Sequence, residues 1–252
     1  MTVGPPRSAV RARARLACAV LALASLALAG CTGDDDSPPA ETATSATPTV
    51  SATPAPSRRT LAADARLVRR ELAGIPQARL LLGSQRAPVT VVEYSDPTCA
   101  PCAASQRGLV RALVERYVRP GVASLELRPL ANDARARGLA RSIFAASLQG
   151  RGWDMLQLAA LRSPPGSGTP TEPDARLAAA LGLDLPRWRR DRALPRWQRE
   201  LLADANVAAV ARFAQLPVFL VRGRDATDEA FTIVTRLGSV EELGEAIETA
   251  RR

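Results

Sequence analysis

The chain contains no histidine and no lysine; all 34 of its basic residues are arginine. Those two absences remove the commonest proton-transfer and metal-ligand options together, because a general base or a zinc site ordinarily recruits histidine. Catalysis in this chain must run through Cys, Asp, Glu, Tyr or Arg. Long apolar runs are missing as well. The longest, Leu16 to Leu28, is too short for an ordinary membrane span. Cysteines number only four, Cys18, Cys31, Cys99 and Cys102. Between residues 32 and 58 almost nothing large and apolar occurs, so that stretch cannot bury enough surface to offset chain entropy.

The N-terminal residues supply what those absences leave room for. Arg7, Arg11, Arg13 and Arg15 form a positive segment ahead of the short apolar run, the pattern of an export signal. The run closes on Leu28-Ala29-Gly30-Cys31, which resembles a bacterial lipobox. On that reading residues 1–30 are a lipoprotein signal peptide that takes Cys18 with it, and Cys31 is the lipid attachment site. A generic signal cut nearby, with Cys31 incidental, is the alternative. Residues 31–59 then form a lipidated, disordered Pro/Ser/Thr-rich tether. The protein is expected on the outer face of the cytoplasmic membrane, periplasmic or extracellular. The formal charge of +9 includes four Arg of the leader, which leaves +5 without it. Nucleic acid is no partner there, and a solvated surface or anionic lipid accounts for the basic balance.

With 46% apolar residues, segment 60–252 is long enough for one domain with its own core. Thr60 caps an expected helix that ends at Gly74. ARLLLG (78–83) reads as a short strand and PVTVVEY (88–94) as a buried central one. Leu109, Leu113 and Tyr117 recur every four residues beside Val110, Val114 and Val118, which marks an amphipathic helix closed by Pro120-Gly121. VASLEL (122–127) is the next strand. Residues from about 132 to 211 are helical apart from SPPGSGTPTEPD (163–174). FLV (219–221) and FTIVTRL (231–237) read as strands, and Ser239 with Glu242 forms a capping box before a last helix. The order gives an α/β fold with a helical insertion in its middle.

Cys99 and Cys102 are spaced Cys-x-x-Cys at the junction of a buried strand and a helix. Such a pair can clamp a metal, staple a loop or pass electrons. A metal would find two ligands, no His and no second pair, so it would need carboxylates or a dimer. A structural staple here closes a tiny loop and constrains little of the unfolded chain. With Cys99 as N-cap, Pro101 falls in the first turn, where its missing N–H costs nothing. The Cys99 sulfur then accepts from the Cys102 N–H at the positive end of the helix, which favours thiolate.

The stretch GSQRAPVTVVEYSDPTCAPCAASQ resembles the start of the DsbA-like thioredoxin-fold oxidoreductases, with a Gly, an Ala-Pro, a strand, an acid, then Cys-x-x-Cys opening a helix. FAQLPVFLVRG (213–223) resembles the segment which that family sets opposite its disulfide, and Pro217 matches its cis-proline. The helical block between the two motifs matches the family's insertion, so the resemblance covers about residues 75–252. It implies a thioredoxin-like fold with the insertion between a Cys-x-x-Cys half and a cis-Pro half. It implies Cys99 as the exposed sulfur and Cys102 as the resolving one. Glu93 falls at the family's buried acid, where it would exchange a proton with Cys102; an exposed, merely solvated Glu93 is the other reading.

The implied activity is a membrane-tethered extracytoplasmic thiol–disulfide oxidoreductase, without cofactor or metal, that oxidises cysteines of exported proteins. Its substrates would be exported protein thiols, and a membrane redox partner, quinone-linked in the family, would recycle the pair. The chain departs from the family in the Ala-Pro dipeptide, which lacks a His donor to the thiolate, and in Leu216, bulkier than the Thr or Val usual before the cis-proline. Those departures keep open a tethered reductase of exported thiols or apocytochromes. From another class, a redox-inactive binding lipoprotein on the same scaffold also stays open. LPRWRR (185–190) and LPRWQR (194–199) read as two helix starts with Trp packed inward, rather than as an Arg/Trp surface for a membrane or partner.

Overall fold

The structure is a computed structural model and describes residues 59–224, 231–234 and 239–252. The leader, Cys31, all but residue 59 of the tether and the end of the FTIVTRL segment lie outside the described residues.

Thr60 is the N-cap of α1 (Leu61–Glu71), its hydroxyl accepting from the Ala63 N–H. ARLLLG, expected as one strand, is instead the turn and second arm of a tight hairpin. β1 (Gln77–Ala78) pairs antiparallel with β2 (Leu81–Leu82), and Arg79 turns the chain at φ 57. The physical reason lies in the neighbours. The Gln77 side chain is held by Asp154 and the Trp153 N–H, and the Leu80 carbonyl accepts from the Trp153 indole and the Leu127 N–H. These bonds tie both arms down separately.

β3 (Val89–Ser95) is central and almost wholly buried, as its β-branched run requires. From Ala100 to Val118 the chain is helical. It runs as α2 (Ala100–Ser105), a π-helical turn (Gln106–Val110), a short α3 (Arg111–Leu113) and a second π-helical turn (Val114–Val118). Val110, Leu113, Val114, Tyr117 and Val118 of the expected stripe are buried, and Leu109 packs partly against them. β4 (Ala123–Pro129) runs parallel to β3, the strand–helix–strand unit anticipated around the cysteines.

The insertion comprises α4 (Ala134–Ser147), α5 (Gly152–Arg162), α6 (Asp174–Ala180), α7 (Leu185–Arg192) and α8 (Arg196–Val210). Both near-repeats begin helices with an inward Trp. Trp188 and Trp197 are buried, and each indole N–H donates to a backbone carbonyl, of Ser142 and Asp191 respectively. Pro186 sits in the first turn of α7, whereas Pro195 is the cap residue just before α8. The chain returns through β5 (Val218–Gly223) and β6 (Thr232–Val234), and Ser239 caps α9 (Val240–Ala250).

The sheet order is β1-β2-β4-β3-β5-β6, antiparallel except for β3 against β4. Alternation along β3 separates two environments. Val89 and Val91 face the large core beneath the cysteine helix, α5 and α9. Val92 and Tyr94 face a smaller cluster with Leu130, Val218 and Leu220, edged by Phe213 and Leu216.

Candidate functional site

The turn between β3 and α2 places the cysteines. Asp96 Oδ1 accepts from both the N–H and the hydroxyl of Thr98 at 2.7 Å, and the Asp96 carbonyl accepts from the Cys99 N–H. This side-chain-closed turn brings Cys99 to the N-cap position with extended backbone. Its Sγ accepts from the Cys102 N–H at 3.1 Å. Cys99 and Cys102 form a disulfide. The two sulfurs are not equivalent: Cys99 is half-buried, while Cys102 is 1% exposed.

Glu93 is fully buried on the core face of β3, under the helix that carries Cys102 one turn before Gln106. Burial raises its carboxyl from 4.5 to about 7, against the smaller opposing pull of the Gln106 amide and the Ser95 hydroxyl. Gln106 Nε2 stands 2.8 Å from both carboxylate oxygens, and Gln106 Oε1 accepts from Gln157 Nε2 at 2.8 Å. Ser95 lowers the carboxyl less than Gln106 does, and its Oγ, like that of Ser105, is buried without a well-formed hydrogen bond among the described residues.

On the open side, Cys99 borders a cleft of about 540 Å³ with Asp96, Pro101, Asn132, Phe213, Leu216 and Pro217. The Leu216–Pro217 peptide bond is cis, and Val218 begins β5 directly after it. The structure therefore brings Cys99, Leu216 and Pro217 to one cleft and keeps Cys102 and Glu93 buried away from it. Cys31 lies outside the described residues. Among the described residues no three His, Cys, Asp or Glu side chains converge as a metal site, and no helix is long and apolar enough to cross a membrane.

Three further residues shape the site. Asp96, which closes the turn, carries a readable signal in Asp-Pro-Thr. Gln157 lies in α5, and nothing in its local pattern marks it. Gly168 belongs to the loop 163–174 and packs against the active turn. A Cβ there would fall far inside contact distance of the Thr98 and Cys99 carbonyl oxygens. The Ser163 hydroxyl lies 2.8 Å from the Gly168 carbonyl and ties that loop to the end of α5. The insertion thus reaches the Cys99 backbone through Gly168 and the Glu93 partner Gln106 through Gln157.

A buried strand, a Cys-x-x-Cys helix and a cis-proline segment on the neighbouring strand define a thioredoxin-type fold, and the thioredoxin family model matches residues 77–157. The form is the DsbA-like one, with the helical insertion between the two motifs. Among solved structures, the chain is similar to alpha-DsbA1 from Wolbachia pipientis (TM-score 0.57, 16% identity, 71% of this chain and 92% of that one). It is similar to BdbD from Bacillus subtilis (TM-score 0.56, 16% identity, 71% and 96%). A thioredoxin-like oxidoreductase from Silicibacter pomeroyi is 26% identical, with a TM-score of 0.54 over 73% and 97% of the two chains. A 146-residue stretch, 56% of this chain, is 32% identical to the Na(+)/H(+) antiporter NhaA 3 of Salinispora tropica. The chain spans 21% of that curated relative's length.

Proposed function

We propose that this protein is a membrane-tethered, extracytoplasmic thiol–disulfide oxidoreductase that oxidises cysteines of exported proteins. One observation carries the reading: the Cys99–Cys102 disulfide presents one sulfur to an open cleft and keeps the other buried, one helical turn from the Gln106 amide that holds a carboxyl pushed up to about 7. A substrate thiolate attacks Cys99 Sγ, and the Cys99–Cys102 bond breaks with Cys102 as leaving group. Protonated Glu93 gives that thiolate its proton. A second substrate thiolate then attacks the substrate sulfur of the mixed disulfide and expels Cys99 as thiolate, stabilised by the Cys102 N–H and the helix N-terminus. Two electrons pass from substrate to enzyme. Leu216 and Pro217 flank the approach to Cys99, where an extended substrate backbone would lie. A membrane redox partner of disulfide or quinone chemistry would take the electrons away, with Glu93 as base for Cys102 on the return.

The tether follows from the Arg-rich leader, the Leu-Ala-Gly-Cys31 sequence and the Pro/Ser/Thr-rich segment after it. Its test is fractionation of the wild type and Cys31→Ala with a fatty-acid label: the variant should lose the label and leave the membrane. A wild type that takes up no label, or a Cys31→Ala protein that keeps it, removes the lipid assignment.

A specific observation favours a second reading, a tethered reductase. Pro101 supplies no N–H near Cys99, and Ala100 supplies no side-chain donor, so the thiolate has less support than a His-bearing dipeptide would give. Equilibration with glutathione buffers separates the two. A potential near ~−120 mV belongs to a strong oxidant and one near ~−270 mV to a thioredoxin-like reductant. Failure to oxidise a reduced, unfolded protein rules out the oxidase.

A further inference from the structure

The hydrogen bonds around Glu93 have a direction. Gln106 faces the carboxyl with its NH2 group, because its carbonyl oxygen is occupied on the far side by the Gln157 amide. An amide can be turned over to exchange donor and acceptor, and the two orientations favour opposite protonation states of a carboxyl beside it. With NH2 toward Glu93 the carboxylate is favoured; with the oxygen toward Glu93 the neutral acid would be. With Gln157 Nε2 placed as it is, turning Gln106 alone would set two NH2 groups against each other in a buried space.

We propose that Gln157, carried by the helical insertion, is a positioning residue: it fixes the orientation of Gln106 and thereby sets the proton affinity of Glu93 beneath Cys102. The inference rests on the functional reading above for its consequence, though not for its test. Cys102 and Gln106 lie four residues apart on one helical face, so the amide that Gln157 orients sits one turn from the buried sulfur. Gln106 also opens a π-helical turn, the type of local departure that often marks a functional position.

No charged group competes for this role among the described residues packed on Glu93. Its own strand offers Ser95, and Tyr94 points the other way. Its strand partners on β4 and β5 are Leu127 and Phe219, both apolar. In β4 the neighbours Glu126 and Arg128 pair with each other, Arg128 also with Asp204, toward the Tyr94 face. From the cysteine helix come Cys102, which does not titrate in the disulfide, and Arg107, whose guanidinium donates to the Ala160 carbonyl. From α5 come Gln157 and Asp154, and Asp154 is engaged by Gln77 and Arg151. A carboxyl whose strongest partner is an amide depends on how that amide points.

The test is a carbon-13 NMR titration of the Glu93 carboxyl in the oxidised protein, the signal assigned by its loss in Glu93→Gln. Gln157→Met keeps length and bulk but removes the donor, so the Glu93 midpoint should rise by about half a unit; Gln106→Met should raise it by about a unit or more. A folded Gln157→Met protein with the wild-type midpoint overturns the proposal, and so does a midpoint that falls. If Gln106→Met does not fold, Gln157→Met alone decides. Turnover of a reduced, unfolded protein by the wild type is measured separately. Its absence would sink the functional reading while leaving the titration result intact.

Discussion

The two faces of β3 meet the same disulfide in opposite ways. On the core face, Glu93 is sealed under the cysteine helix, and the amide that donates to it is itself held by a second amide. On the other face, Tyr94 meets Phe213 edge-on at 5.1 Å, and beyond Phe213 the surface opens into the cleft at Cys99. The sealed face can change the proton affinity of a sulfur but admits no substrate. The open face admits substrate but has little leverage on protons. Thiol–disulfide exchange needs both, because one sulfur must be attacked and the other must leave with its charge neutralised.

The largest effect should come from separating the two sulfurs. Cys99→Ala should abolish exchange outright. Cys102→Ala should leave Cys99 reactive but without its partner, so its thiolate attacks an added protein disulfide, one sulfur of that disulfide leaves as thiolate, and the resulting mixed disulfide persists through non-reducing electrophoresis. Equal trapping by both variants would erase the distinction between the faces.

Next in size is the pH dependence of stability, which belongs to the sealed face. The folded carboxyl of Glu93 titrates at about 7 against 4.5 when unconstrained, so the folded chain binds this proton more tightly. Stability from this source is complete below pH 4.5 and is lost as pH rises to about 7, by roughly 3 kcal/mol. Asp204, raised by burial to about 6 despite its Arg128 partner, acts in the same direction at lower pH. Glu93→Gln should therefore flatten most of the decline between pH 5 and 7 in urea unfolding of the oxidised protein. An unchanged slope would mean that Glu93 is not held as described.

Gly168→Ala probes the contact between the insertion and the active turn. The added methyl meets the Thr98 and Cys99 backbone, which must shift, at a cost of about 1–3 kcal/mol. A displaced Cys99 should also react at a different rate with alkylating agents, so thermal unfolding and thiol reactivity should change together. Phe213→Ala, on the open face, should cost about 1 kcal/mol or less, since that ring is only partly buried. Its larger effect should fall on exchange with peptides relative to small disulfides, and equal effects on both would place Phe213 outside the substrate path.

Much of the fold is legible in the amino-acid sequence. The β-branched run 88–94, the Leu109/Leu113/Tyr117 spacing and the Thr60 and Ser239 caps follow from local periodicity and side-chain chemistry, and each element stands where its residues put it. Cys99 as N-cap follows from the same reasoning, since Pro101 fits only a first turn. What stays hidden is set at long range. The hairpin at 77–82 depends on Trp153 and Asp154 more than seventy residues away. Likewise Gln157 matters only because α5 brings it to Gln106. Gly168 gives a loop signal, but its contact with Cys99 has no local signature.

The inequality of the two sulfurs is the central claim, and alkylation of the reduced protein tests it most directly. Iodoacetamide is added over a range of pH, and the modified cysteine is identified by peptide mass. Labelling is expected at Cys99 with a midpoint well below an ordinary thiol's ~8.5, with Cys102 protected until the protein unfolds. Comparable labelling of Cys102 in the folded protein, or a Cys99 that reacts only above its ordinary range, would contradict the claim.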